Sequence, residues 1–426
     1  MTKTTILAAA LLLPAMLAGQ GPAGLTARLD SVRAYPSLKA AYPALRMGTT
    51  LNLDEAYGRD LVGGEIIRHH FNAISPENLL KWESVQPLPG RWAFEAADRY
   101  VELGQRNGMF IVGHALVWHS QTPPWVFYNA DGSFVSRDTL LARMREHIHT
   151  VVGRYRGRVN GWDVVNEALD EDGSLRQSPW LRIIGPDYLA HAFRFANEAD
   201  PQAELYYNDY SLENPAKRAG AVRLIRELQR QGVRVTAVGM QGHHNMAWPT
   251  LAAEDSTITA FADLGVQVAI TELDVDVLPR VTRGNTADVA ARAGADACNC
   301  RLNPYVAGLP DSVQQALAER YAQFFALYGR RSDVVRRVTF WGVSDNDSWL
   351  NDFPMYGRTN HPLLFGWRGE PKPAFHAVIQ AARRGTVAGV GGAVGGARGP
   401  GGVGAGSAGN ESADGGVDVD PGVGVQ

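Results

Sequence analysis

Apolar residues come in short runs along this chain, separated by stretches with helical spacing. The runs predict strands at Leu45–Thr49, Phe71–Ile74, Met109–His114, Gly161–Val165, Glu204–Asn208, Val235–Gln241, Val268–Leu273 and Val338–Trp341. Several are continuously apolar rather than alternating, as expected for strands covered on both faces. Helices are predicted between them. Ala96–Arg106 ends at Asn107-Gly108, and Asp187–Asn197 follows Pro186. Pro215–Gln231 ends at Gly232, and Asp311–Tyr328 opens on Asp311-Ser312 and closes at Gly329. These are ordinary cap signals. Eight strands, each followed by helical or long connecting sequence, predict a (β/α)8 TIM barrel of class α/β. An open doubly wound sheet is the rival, but no glycine-rich phosphate loop follows the first strand.

Both ends of the chain depart from this pattern. Lys3 precedes the apolar run Ile6–Ala18, and small residues follow around Ala18–Gly21. That reads as a signal peptide over residues 1–20 and predicts a secreted or periplasmic protein, since the run is short for a membrane span. Position 20 is Gln20, so a lipobox cysteine is missing. Thr386–Gln426 holds 15 glycines in 41 residues and no aromatic residue. Such a stretch buries too little to offset its ordering entropy and is expected to be a disordered tail. Residues 21–385 are left as one catalytic domain.

Charge narrows the partners. The net charge of -3 comes entirely from the tail, where Arg398 stands against four acidic residues. A near-neutral body gives no electrostatic footprint for nucleic acid or anionic membrane. Two cysteines, Cys298 and Cys300, exclude a disulfide scaffold and a four-cysteine zinc site. No His-x-His opens the first strand, so no cofactor or catalytic metal is expected.

Polar residues gather just after the predicted strands, where barrel enzymes place their active sites. They include Glu77, Asn78, Lys81, His114, Gln121, Asn166, Gln241, His243 and Asp345. Glu167 and Glu272 end the fourth and seventh strands, costly places for unpaired carboxylates. A helix cap or an arginine partner would explain either one alone. Together they fit glycoside hydrolysis, which with retention needs two carboxyls about 5–5.5 Å apart. Trp82, Trp118, Tyr210, Trp341 and Trp349 also follow strand ends. A single tryptophan is more often core, but flat rings among amides and charges suit a saccharide cleft.

At these residues the chain resembles the family 10 glycoside hydrolases, the endo-β-1,4-xylanases. The matching stretches are Pro76-Glu77-Asn78-Leu79-Leu80-Lys81-Trp82, Gly113-His114-Ala115-Leu116-Val117-Trp118-His119-Ser120-Gln121 and Trp162-Asp163-Val164-Val165-Asn166-Glu167-Ala168. They continue through Tyr207-Asn208-Asp209-Tyr210, Gly239-Met240-Gln241-Gly242-His243, Ile270-Thr271-Glu272-Leu273-Asp274 and Trp341-Gly342-Val343-Ser344-Asp345 with Trp349. The resemblance implies that Glu167 is the acid/base and Glu272 the nucleophile of a retaining reaction on xylan or xylo-oligosaccharides. It implies that Asn166 binds a sugar hydroxyl beside the cleaved bond and that His243 bridges Glu272 and Asp274. Glu77, Asn78, Lys81, His114, Trp118 and Gln121 resemble glycone contacts, with Gln241 and Tyr210 nearer the cleavage point. Trp341 and Trp349 resemble an aromatic lid.

Gly242 departs from the resemblance, because the family often carries a larger polar residue there. The connection Val275–Pro310 is long and holds both cysteines, whose bonding stays open. Three alternatives remain: a metal-dependent hydrolase using His114, His119, His243 and His244, a barrel that binds polysaccharide without cleaving it, and a cellulase or mixed β-glucanase. A monomer is the default expectation.

Overall fold

A computed structural model describes residues 22–280 and 301–392 of the chain. The predicted signal peptide, Cys298 and Cys300 lie outside the described residues. Nine strands form one sheet: β1 (Arg46–Leu51), β2 (Ala73–Pro76), β3 (Phe110–Gly113), β4 (Gly161–Asn166), β5 (Glu204–Asp209), β6 (Ala237–Met240), β7 (His243–Asn245), β8 (Gln267–Asp276) and β9 (Val335–Phe340). Every pairing is parallel. The order β6-β5-β4-β3-β2-β1-β9-β8 closes on itself because β6 also pairs with β8. The expected eight-stranded barrel is therefore present.

All eight predicted strands are found, with shifted ends. Phe71 lies outside β2 because its amide caps the helix Leu61–His70 by donating to Ile67 O. The seventh predicted strand runs on to Asp276, since residues 274–276 gain a partner in the short β7. That extension carries Asp274 and His243 side by side above the barrel rim. Long helices cover the outside, including Glu95–Arg106, Arg137–Arg154, Tyr188–Ala199, Pro215–Arg230, Leu251–Ala262 and Asp311–Arg330. Ser136, Asn214 and Thr250 cap their helices by accepting from backbone amides, which satisfies otherwise orphaned donors. The helix Pro373–Gly392 runs across Thr386, where composition places the start of the tail, and residues 393–426 of that tail lie outside the described residues.

Packing fixes the rim. A Cβ on Gly113 would lie 2.0 Å from the Trp162 ring, so only glycine lets β3 and β4 sit together there.

Candidate active site

The carboxyl ends of the strands bring most of the predicted residues into one cleft. Asn166 ends β4, and Glu167 follows with φ of +57°, a left-handed conformation rare for a side-chain-bearing residue. Its backbone is pinned on both sides. The Glu167 amide donates to Asn208 O at 2.8 Å, and Arg176 Nε donates to Glu167 O at 2.9 Å. Gln121 and Ser211 are the other non-glycine residues with positive φ among the described residues. Backbone strain thus falls at two predicted site positions.

The Glu167 carboxylate is buried and accepts from neutral donors, Trp118 Nε1 at 2.9 Å and Gln241 Nε2 at 3.0 Å. His119 Nδ1 stands 3.9 Å away. Glu272, on β8, is equally buried but has charged company. His243 Nε2 lies 3.2 Å from Glu272 Oε2, while its Nδ1 lies 3.0 Å from Asp274 Oδ2. Asn208 Nδ2 donates to the other Glu272 oxygen at 2.8 Å. Burial alone would raise the Glu272 pKa. The His243 hydrogen bond, the fields of His114 and His243, and Asn208 outweigh it and lower it on balance. For His243 burial again opposes charge, but Asp274 and Glu272 push its pKa up to about 10.

Four hydrogen bonds link the two carboxylates. Gln241 Nε2 reaches both Glu167 and Asn166 Oδ1 (3.3 Å), and Asn208 Nδ2 reaches both Asn166 Oδ1 (2.9 Å) and Glu272. The Asn166 amide could be turned over to face Asn208 O and Trp118 Nε1. Trp118 Nε1 is already committed to Glu167, so two donors facing the Asn166 oxygen is the better arrangement. Asn208 is the member the sequence reading quoted without a role. Thr271 Oγ1 donates to Asn208 Oδ1 at 2.6 Å, which turns the amide nitrogen toward Glu272.

One flank of the cleft is a polar mesh. Lys81 Nζ donates to Gln121 Oε1 at 2.7 Å and Asn78 Oδ1 at 2.9 Å, and lies 4.8 Å from the centre of the Trp118 ring. Gln121 Nε2 reaches Asn78 and Glu83. Burial lowers the Lys81 pKa and raises that of Glu77, each partly offset by the other's charge. A cavity of about 540 Å³ adjoins this mesh, with Glu77, Asn78 and Asn52 in its wall. His114 Nδ1 is bound to Asp163 at 2.9 Å, and its ring meets Trp341 edge-on at 5.4 Å. Trp349 donates to Asp274 at 2.8 Å and lies 4.8 Å from the His243 ring. On the opposite flank, Arg176 donates to the Tyr210 hydroxyl at 2.9 Å and Lys217 Nζ sits 3.3 Å from that ring's centre.

Two strand-end residues serve the core instead. Trp82 is 2% exposed and stacks on His147 at 3.7 Å. Asp345 is locked by Lys372 at 2.8 Å and the Leu363 amide at the same distance. Gly242 has φ of +82°, and a Cβ there would lie 2.9 Å from Ile270, which accounts for its departure from larger residues. His114 and His243 each bind carboxylates. Among the described residues two clusters have metal-ligand character, Glu213-His244-Glu254 and Glu55-Asp60-Asp347. Neither contains Glu167 or Glu272. No helix among the described residues is long and apolar enough to cross a membrane.

Known proteins resemble this chain in sequence and fold. The sequence pattern described as glycosyl hydrolase family 10 matches residues 37–381. An endo-1,4-beta-xylanase A of Xylanibacter ruminicola is 42% identical over 334 residues, spanning 78% of this chain and 90% of that protein. A beta-1,4-xylanase of Dictyoglomus thermophilum is 37% identical over 348 residues, spanning 81% and 91%. Among solved structures, a GH10 endoxylanase from a sugarcane soil metagenome superposes with a TM-score of 0.76 at 43% identity, covering 82% of this chain and all of that one. Xylanase XynB from Paenibacillus barcinonensis, solved with a conduramine derivative, gives 0.72 at 37% identity, covering 81% and 98%.

Proposed function

The chain belongs to glycosyl hydrolase family 10, and from that premise we propose that it hydrolyses internal β-1,4 bonds of xylan with retention of configuration. The carrying observation is the hydrogen-bonded relay between Glu167 and Glu272, with one carboxylate held by neutral donors and the other by an imidazolium. Glu272 attacks the anomeric carbon while Glu167 protonates the leaving oxygen. The glycosyl-enzyme is then opened by water that Glu167 deprotonates. Asp274 and His243 keep the nucleophile ionised and aimed, and Asn166 takes the hydroxyl next to the reacting carbon. That contact strengthens as oxocarbenium character develops.

Sugar units on the glycone side lie along Glu77, Asn78, Lys81, His114, Trp118 and Gln121. Gln241 and Tyr210 border the cleaved bond. Trp341 and Trp349 close over the reacting sugar, and their bulk disfavours a hydroxymethyl group, which selects xylose over glucose. A monomer suffices, because all of these residues come from one chain. Export to the periplasm or medium is the matching location, supported by Lys3 and the apolar run Ile6–Ala18.

Digestion of xylan and cellulose in parallel, with NMR of the first sugar released, tests this reading. The expectation is xylo-oligosaccharide release with the β-anomer appearing first. First appearance of the α-anomer would refute double displacement, and equal cleavage of cellulose would refute selection by the tryptophan pair.

A further inference from the structure

One residue beyond His243 the same short strand points a second histidine the other way. His244 is 2% exposed, and neither ring nitrogen has a hydrogen-bond partner. Its Nε2 stands 3.7 Å from Glu254 Oε2. That oxygen and Glu213 Oε2 are also buried and unpartnered. The three residues come from β7, the helix Leu251–Ala262 and the loop before Pro215, and their donor atoms lie within 4.8 Å of one another. Tyr328 reaches only the far oxygen of Glu254, so Glu213 Oε2, Glu254 Oε2 and both nitrogens of the His244 ring stay unsatisfied in the interior, each costly.

We propose that Glu213, His244 and Glu254 bind a divalent transition cation of the zinc class, at a structural site separate from the reacting carboxylates. An imidazole with two carboxylates selects zinc-like ions over calcium or magnesium, which prefer oxygen alone. Ligands about 2.0–2.2 Å from a tetrahedral ion are themselves about 3.5 Å apart, close to the present His244–Glu254 spacing. The surroundings supply a supporting shell. Tyr328 donates to Glu254 Oε1 at 2.8 Å, and the His244 ring stacks on Phe324 at 4.6 Å. Glu213 also lines a groove of about 1070 Å³, the side from which an ion would enter. Bound there, the ion braces β7 at its pairing with Val275 and so steadies the neighbouring His243.

The alternative occupant is a proton shared between the Glu213 and Glu254 carboxyls. To separate the two, the full chain is stripped with a chelator, exchanged into metal-free buffer and titrated with Zn2+ alone. The site predicts about one zinc retained per chain after gel filtration and a Tm rise of about 5 °C at saturation. His244→Phe, which keeps the ring stack, is expected to lose both effects while retaining hydrolysis. If that variant fails to fold, Co2+ added to the stripped wild type decides the matter, since a tetrahedral site gives intense visible absorption. Zinc retention or a Tm rise undiminished in His244→Phe, or no zinc retained and no Co2+ band in the wild type, overturns the proposal.

Discussion

Glu167, just after β4, and Glu272, within β8, are the same side chain on one barrel, and both are buried. What differs is the charge of their partners. Glu167 meets an indole N–H and an amide, both neutral. Glu272 meets an amide and an imidazole that Asp274 keeps protonated. Neutral donors let a carboxyl gain or lose a proton without stranding an opposite charge in the interior. A fixed cation holds its neighbour ionised. The proposed division of labour follows, with the proton carrier on the neutral side and the nucleophile on the charged side.

The largest effect expected is on the charged side. Glu272→Gln keeps the Asn208 contact but removes the attacking oxygen anion, so xylan hydrolysis is expected to fall by about 10⁴-fold or more with the Tm little changed. Rate assays with calorimetry check both halves. Survival of a tenth of the activity would mean that another group attacks the sugar.

Glu167→Ala comes next. General acid catalysis is worth about 10² to 10⁴. The loss on xylan is expected in that range, while aryl xylobiosides with good leaving groups lose far less at the glycosylation step. Added azide should restore turnover by replacing the deprotonated water. An equal loss on both substrates, with no azide response, would show that the two carboxylates are not divided in this way.

The fold was legible because burial on both faces writes strands as continuous apolar runs, and eight of them leave few topologies. The two carboxylates were legible because a charge at the end of such a run has no packing reason to be there. Trp82 misled for the same reason: its place after β2 resembles that of Trp118, and only the stack on His147 shows that it faces the core. Asn208 acts on Glu272, 64 residues on, and Arg176 folds back across a loop onto the Glu167 carbonyl. Linear spacing carries no trace of such contacts. β7 was missed because three residues are too few to show a period.

His243→Asn tests the electrostatic half of the comparison. Without the cation, burial is left as the leading influence on Glu272, so the acid limb of kcat/KM is expected to move up. In the unaltered protein the raised imidazole sets a second sign. Its ion pairs are fully formed below its ordinary value of about 6.5, and their stabilisation is lost as pH climbs toward about 10. Denaturant midpoints measured from pH 6 to 10.5 should fall over that window in the wild type and stay flatter in the variant. An unshifted acid limb would show that His114 and Asn208 suffice to set the state of Glu272.

Trp349→Phe is the mildest probe of the same side. It keeps a ring over His243 but removes the N–H that Asp274 Oδ2 accepts. A buried carboxylate that loses one of its donors costs about 1–3 kcal/mol. Part of that appears as stability, and part as a looser hold on the imidazole. The His243–Asp274 hydrogen bond remains, so Glu272 should stay ionised and the acid limb should not move. The expected signature is a severalfold drop in kcat with an unchanged pH profile, set against the shifted profile of His243→Asn. If both variants shift the limb equally, the indole donor and the imidazolium are one electrostatic unit. The charged side of the cleft would then extend through Trp349, and the lid would belong to the chemistry as well as to the choice of sugar.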